Sequence, residues 1–298
     1  MGWEFDGLFD GLVSDTDSLM ADYWKSEPTA IRVGAMGYRT KTIKAGTRLE
    51  AEVYPLFGRE KTARLRKAKK QITPDRQKAL NIRRSQRKLV LLIEANFQAE
   101  RDVHVTLTYA HEVSLKQCKR DLNCFLRKVR RIREERGLPE LKYIYVIGHD
   151  EGHRIHAHVI MNGGIDRTEL EQIWGRGYAN CLILQSYGNG LQGIANYLFK
   201  QNDRERELRR KTFRSWSGSR NLKKPKEHTS DTKMTNAKVK RIARDFRNEA
   251  KEVMQKIYPG YSLERCDIFY SDMMDGVYIR CVMRQWPEQD VSGDKRRR

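Results

Sequence analysis

Between Val103 and Gln201 the apolar residues switch repeatedly between a two-residue and a 3.6-residue spacing, and the order of those switches restricts the fold more than any other feature of the chain. "VHVTLTY" puts Val103, Val105 and Leu107 on one face of a strand and Thr106 and Thr108 on the other. Ser114 then caps a helix whose apolar residues Leu115, Cys118, Leu122, Phe125, Val129 and Ile132 step by three and four before Gly137 ends it. "LKYIYVIG" and "RIHAHVIM" read as two strands joined by the polar "HDEGH". Asp166 and Glu169 form a capping box for a short helix through Trp174. "ANCLILQS" is a fourth strand and "GLQGIANYLFKQ" a further helix. The order β-α-β-β-α-β-α predicts an α+β, ferredoxin-like antiparallel sheet with its helices packed on one side.

Additions flank this core, which is taken as residues 86–202. The N-terminal extension, 1–85, holds an acidic tail, a hairpin in "TKTIKAGTRLEAEVYPLF" and a basic helical or linker stretch from Arg59 to Arg87. In the hairpin the turn falls at Ala45 and Gly46, and Leu49, Ala51 and Val53 alternate with Arg48, Glu50 and Glu52. Residues 203–234 are too basic and too poor in apolar side chains for a core, and read as a loop or arm that tracks phosphates. Residues 235–298 read as a small α+β addition, with an amphipathic helix carrying Val239, Ile242, Phe246, Val253 and Ile257 up to "YPGY" and a strand at "GVYIRCVMRQ".

The chain carries 59 Lys and Arg against 39 Asp and Glu, a net +20, and the basic residues come in runs. Such a field favours a polyanion, most simply nucleic acid. The outer face of the Leu115–Ile132 helix (Lys119, Arg120, Arg127, Lys128, Arg131) and Arg220, Lys223 and Lys224 of the arm are the candidate phosphate contacts. Five cysteines, with no CxxC pair, suggest neither a disulfide framework nor a structural zinc site but thiols in a reducing compartment. No apolar stretch approaches the roughly 20 residues that span a bilayer, and the first 30 residues are acidic, so no membrane association and a cytoplasmic location, in a bacterial host, are expected. No GxxxxGK[ST] motif is present, so unwinding would come from a host helicase or from supercoiling.

His149, His153, His156 and His158 fall within ten residues. His156 and His158, two apart on a strand, point to the same face and form a candidate metal pair. A third ligand would come from the turn just upstream, His149 or alternatively Glu151, giving a site for Mn²⁺ or Mg²⁺ with room for phosphate oxygens. In "NYLFKQ", Tyr197 sits at the edge of the apolar arc Leu191, Ile194, Ala195 and Leu198, and Lys200 follows one turn later. A phenol attacks a phosphodiester slowly unless a cation polarises the phosphate and a nearby charge favours the phenolate, roles the metal pair and Lys200 could fill.

"VTLTY", then His-Ala-His, then "YLFK", in that order on β-α-β-β-α-β-α, resemble the three motifs of the HUH endonuclease superfamily. "RRSQRKLVLLIEANF", "SRNLKKP" and the N-terminal hairpin resemble more narrowly the rolling-circle replication initiators of phages and plasmids; the core resemblance covers about residues 86 to 225, and the flanks match more loosely. The resemblance implies an enzyme that nicks one DNA strand at a replication origin, stays linked to the 5′ end through tyrosine, and leaves a 3′-hydroxyl for a host polymerase. It implies Tyr197 as nucleophile, His156 and His158 as metal ligands, and Lys200 as the assisting base or charge. Two positions depart from the pattern: where some relatives pair two tyrosines four residues apart, this chain has Gly193 and Gln201, so strand closure would use water or a second subunit, as in a homodimer. The third ligand, glutamate in many relatives, is displaced here. Single-strand transposases and mobilisation relaxases share the chemistry, and a non-enzymatic basic nucleic-acid binder is a different class, though "VHVTLTYA" lacks the aromatic pattern of an RNA-recognition sheet.

Overall fold

The computed structural model describes residues 36–56, 74–148, 155–186, 190–200, 216–271 and 276–286. The acidic N-terminal tail, much of the basic stretch after the hairpin, and the turn holding His149 and Glu151 lie outside them, as does the first part of the basic arm. In chain order the elements are β1 (Gly37–Ala45), β2 (Arg48–Leu56), α1 (Pro74–Asn96), β3 (Val103–Thr108), α2 (Leu115–Glu135), β4 (Tyr143–Gly148), β5 (His156–Met161), α3 (Arg167–Trp174), β6 (Ala179–Ile183), α4 (Gln192–Lys200), β7 (Ser217–Gly218), β8 (Lys226–Ser230), α5 (Asn236–Arg244), α6 (Phe246–Ile257), β9 (Tyr261–Ser271) and β10 (Gly276–Gln285). They form two units, 85–224 and the combination of 1–84 with 225–298.

The 85–224 unit is α+β, and from β3 to α4 it follows the expected β-α-β-β-α-β-α order. Its antiparallel sheet runs β6-β3-β5-β4-β7. On one face Val103, Val105, Leu107, Ala157 and Val159 meet Leu122, Phe125 and Val129 of α2 and Leu170 and Trp174 of α3. Each such fully buried side chain contributes roughly 1.5–3 kcal/mol of transfer free energy. Local signals set the ends of α2: the Ser114 hydroxyl accepts the Gln117 N–H, and Gly137, at φ 62°, lets Leu138 N–H close on the Arg133 carbonyl in a Schellman turn. Asp166 caps α3 as expected, accepting from Thr168 N and Glu169 N, but the Glu169 carboxylate is gripped by Arg136 at 2.6 and 2.8 Å in place of the reciprocal half of a capping box.

The one-sided arrangement of helices expected from the sequence does not hold. β5 is buried on both faces, with Ala157, Val159 and Met161 on the α2–α3 side and His158 and Ile160 on the other. A strand covered twice needs a second layer. Here that side carries α4, whose Tyr197 ring meets the ring of His158. α1, whose first half falls in the stretch read as basic and helical or linker, is a helix through Asn96 that buries Leu89 and Ile93 completely. It braces α4: Glu94 Oε1 accepts Leu191 N–H at 3.1 Å, and Gln86 Nε2 donates to Asn196 Oδ1 at 3.1 Å.

The second half of the basic arm is not free. β7 pairs with β4, Ser219 Oγ accepts the Tyr143 N–H, and Asn221 Nδ2 donates to the Leu141 carbonyl. Asn96 and Lys223 exchange two hydrogen bonds, at 2.7 and 2.9 Å. The segment closes a sheet edge while Arg220, Lys223 and Lys224 remain exposed.

In the other unit the hairpin and the C-terminal segment, read as separate additions, share one sheet in the order β8-β1-β2-β10-β9. Leu49, Ala51, Val53, Ile279 and Cys281 pack against Val239, Ile242, Val253 and Met254 of α5 and α6. The single amphipathic helix expected there is two helices, broken at Asp245, which ends α5 and caps α6 by accepting from Asn248 N. The Leu49–Val53 alternation holds, yet its charged side is also buried: Arg48 and Glu50 pair at 2.9 Å, and Arg280 reaches Glu50 at 3.3 Å. No cysteine is joined in a disulfide, and Cys118, Cys181 and Cys281 are buried. Among the described residues no helix is long and apolar enough to cross a membrane.

Candidate active site

The two-residue period of β5 puts His156 and His158 on the face that α4 covers, their ring centroids 4.9 Å apart. Directly across from His156, β4 has Gly148. A Cβ at that position would lie 2.4 Å from His156 Nε2, so the glycine is what leaves room for the imidazole. Gly148→Ala is therefore expected to push the His156 ring aside with little loss of stability. Chemical-shift mapping of the imidazoles checks this, since an unmoved ring would mean that the neighbouring backbone yields instead.

His158 is 2% exposed. Its Nδ1 lies 3.2 Å from both Thr106 Oγ1 and His104 Nε2, while its Nε2, also buried, has no hydrogen-bond partner among the described residues. Such a nitrogen is normally satisfied by something. Burial lowers the His158 pKa to about 3, helped by the neighbouring His104 and His156, and burial alone takes His104 to about 4. Both rings are thus neutral at pH 7, the form in which an imidazole nitrogen keeps a lone pair for a cation.

His104 escaped the sequence reading although its signal was there. On β3 it continues the row of Thr106 and Thr108, and the antiparallel register puts Thr106 opposite His158 and Thr108 opposite His156. The His104 ring stacks on that of His158 at 5.3 Å and 27°.

Tyr197 completes the cluster. Leu191, Ala195 and Leu198 anchor α4 in the core, as does Phe199, whose burial the helical arc did not foresee. Tyr197 remains 44% exposed, its ring 5.4 Å from that of His158 and 6.3 Å from that of His104, edge-on to both. Lys200 is the last residue of α4; its side chain, like His149 and Glu151, falls outside the described residues. Among the described residues no group of three His, Cys, Asp or Glu side chains is arranged to hold a metal ion. The His156 and His158 rings, 4.9 Å apart and with His158 Nε2 lacking a partner among the described residues, supply two of the donors such a site would need.

The basic stripe of α2 lies elsewhere. Lys119, Arg120, Arg127, Lys128 and Arg131 are exposed, but α2 covers the sheet face opposite the histidines. Arg220, Lys223 and Lys224 follow β7, at the edge beside β4.

The 85–224 unit is thus an α+β, ferredoxin-like domain with a histidine pair in mid-sheet and a tyrosine brought onto it by the last helix, the layout of an HUH-type core. Residues 102–202, about a third of the chain, match the model of the family Replication-associated protein ORF2/G2P. No curated protein and no solved structure matches the chain.

Proposed function

We propose that this protein is a metal-dependent, site-specific DNA nicking and joining enzyme that initiates rolling-circle replication of a phage or plasmid. The observation that carries this reading is the 5.4 Å contact between the Tyr197 and His158 rings on a single sheet face, within the segment that matches a replication-associated family. Tyr197 Oη gives up its proton and bonds to the phosphorus of the scissile phosphate. The bond from phosphorus to the 3′ oxygen breaks, and that oxygen takes a proton to become the 3′-hydroxyl a host polymerase extends. The 5′-phosphotyrosine keeps the energy of the broken ester, so a later 3′-hydroxyl can reverse the step without ATP.

His156 and His158 would hold Mn²⁺ or Mg²⁺, with His149 or Glu151 as the third donor, and a cation bound there would neutralise charge on the phosphate oxygens. Lys200, one turn beyond Tyr197, favours the phenolate. Incubating the protein with Mn²⁺ and a single-stranded origin library, then resolving it on a denaturing gel, tests the reading: a band of protein-linked DNA is expected. No such band with either cation would sink it.

Within this reading His104 is a positioning residue, engaging His158 Nδ1 so that Nε2 would be left to a cation. His104→Phe keeps the packing and loses the contact, and should weaken Mn²⁺ binding by calorimetry about 10–100-fold. His104→Gln, which can still hydrogen-bond, should recover most of it. Equal affinity in the Phe variant would reduce His104 to a space-filler.

A further inference from the structure

Apart from Tyr197, the exposed large apolar side chains described in the 85–224 unit are Tyr178 at 69%, Leu182 at 52% and Ile183 at 42% exposure, on or just before the edge strand β6, with Ile183, opposite Val103, on the other sheet face. Antiparallel pairing sets Leu182 opposite His104 and Asn180 opposite Thr106. Residues 178, 180 and 182 therefore form a row on the histidine-bearing face, two strand spacings, about 10 Å, from β5.

The backbone under Tyr178 is fastened. Its carbonyl accepts both the Thr108 N–H at 2.9 Å and the Thr108 hydroxyl at 2.8 Å, and the Arg176 carbonyl accepts Ala110 N–H at 3.0 Å. Between them Gly177 lies so close to β3 that a Cβ would come 2.6 Å from Thr108 O and Ala110 N. Thr108 in turn pairs with His156. An aromatic ring is thus held out to solvent by a pinned backbone, joined through one residue to the histidine pair. A ring pre-set in this way loses little freedom when something flat is laid on it.

We propose that Tyr178, backed by Leu182, is a stacking platform for a base of single-stranded DNA, one or two nucleotides from the phosphate at Tyr197. The inference rests on the nicking reading for its register but not for its ligand. A base offers the flat π-face that suits an exposed tyrosine, and the net charge of +20 draws the backbone that carries it. Stacking of this kind tolerates any sequence.

The test is equilibrium binding of fluorescein-labelled oligo(dT) of about 16 nucleotides, followed by anisotropy in a Tyr197→Phe background, so that covalent capture contributes nothing. Tyr178→Ala should weaken binding about tenfold, within the roughly 5–150-fold that loss of one stack produces. Tyr178→Trp should bind as the parent does, its added indole emission quenched by the oligonucleotide. Unchanged affinity in Tyr178→Ala, or an unquenched indole at saturation, overturns the proposal. So does a shift from dimer to monomer in sedimentation for Tyr178→Ala with DNA binding intact, because the platform would then be covered by a second copy of the chain. If the protein forms no adduct yet Tyr178→Ala loses oligo(dT) affinity, the platform survives and the nicking reading does not.

Discussion

Tyr197→Phe is expected to form no covalent adduct with DNA while binding single strands within about twofold of the parent, because a partly exposed substitution away from core packing rarely shifts a free energy by more than about 0.5 kcal/mol. The change removes one oxygen. The ring that lies edge-on to His158 and His104 stays, as do the buried Leu198 and Phe199 beside it and the Glu94 and Gln86 contacts that hold α4. What disappears is the nucleophile, and the loss should be on the order of 10⁴-fold or more in strand cleavage, as for other enzymes stripped of theirs. End-labelling adds a directional check. In the parent, only a 3′-labelled strand should migrate with the protein, since tyrosine takes the 5′ phosphate. Adduct persisting in the Phe variant would move the nucleophile to another residue. Cleavage without adduct would mean that water attacks directly, making the protein a metal-dependent phosphohydrolase.

The topology from β3 to α4 was readable because each of those elements carries its own period and its own stops. Ser114, Gly137 and Asp166 act as the end signals their types imply. The shared face of His156 and His158 follows from strand geometry alone. Which side of the sheet a helix lands on is a different kind of question, decided by long-range packing rather than by local period. α2 has an unmistakable basic outer face, yet nothing in its own residues says that it covers the side away from the histidines. Its exposed Lys and Arg therefore lie on the side of the sheet away from Tyr197. His104 was missed for a related reason: "VHVTLTY" reads as a strand with a threonine face, and only the register with β5 brings that face onto His158. Of α1 only a basic helical or linker stretch up to Arg87 was legible, because that basic half masks the apolar "LVLLI" that follows. The five-stranded sheet of the other unit joins segments more than 200 residues apart, as in the pairing of Cys281 with Ala51, a contact no local pattern encodes.

Removing the imidazoles one at a time should separate chemistry from folding. His156 is half-buried, with its ring over the gap left by Gly148. His156→Ala should therefore abolish Mn²⁺-dependent cleavage by on the order of 10³-fold, beyond the roughly 10–100-fold typical of an outer-shell partner, and leave the thermal midpoint nearly unmoved. Salt-sensitive binding of single strands should persist, since it rests on phosphate contacts elsewhere. His158→Ala should lose cleavage to the same extent and stability as well. Its side chain is almost fully buried, and its removal opens a cavity and strips Thr106 Oγ1 and His104 Nε2 of a common partner. An unsatisfied buried polar group costs about 1–3 kcal/mol, so the midpoint should fall by several degrees on heating. The contrast between the two variants is the informative quantity. If both lose stability equally, the pair is a packing feature of the sheet. If His156→Ala keeps parental Mn²⁺ affinity by calorimetry and cleaves as before, the cation sits elsewhere, and the unsatisfied Nε2 of His158 needs another explanation.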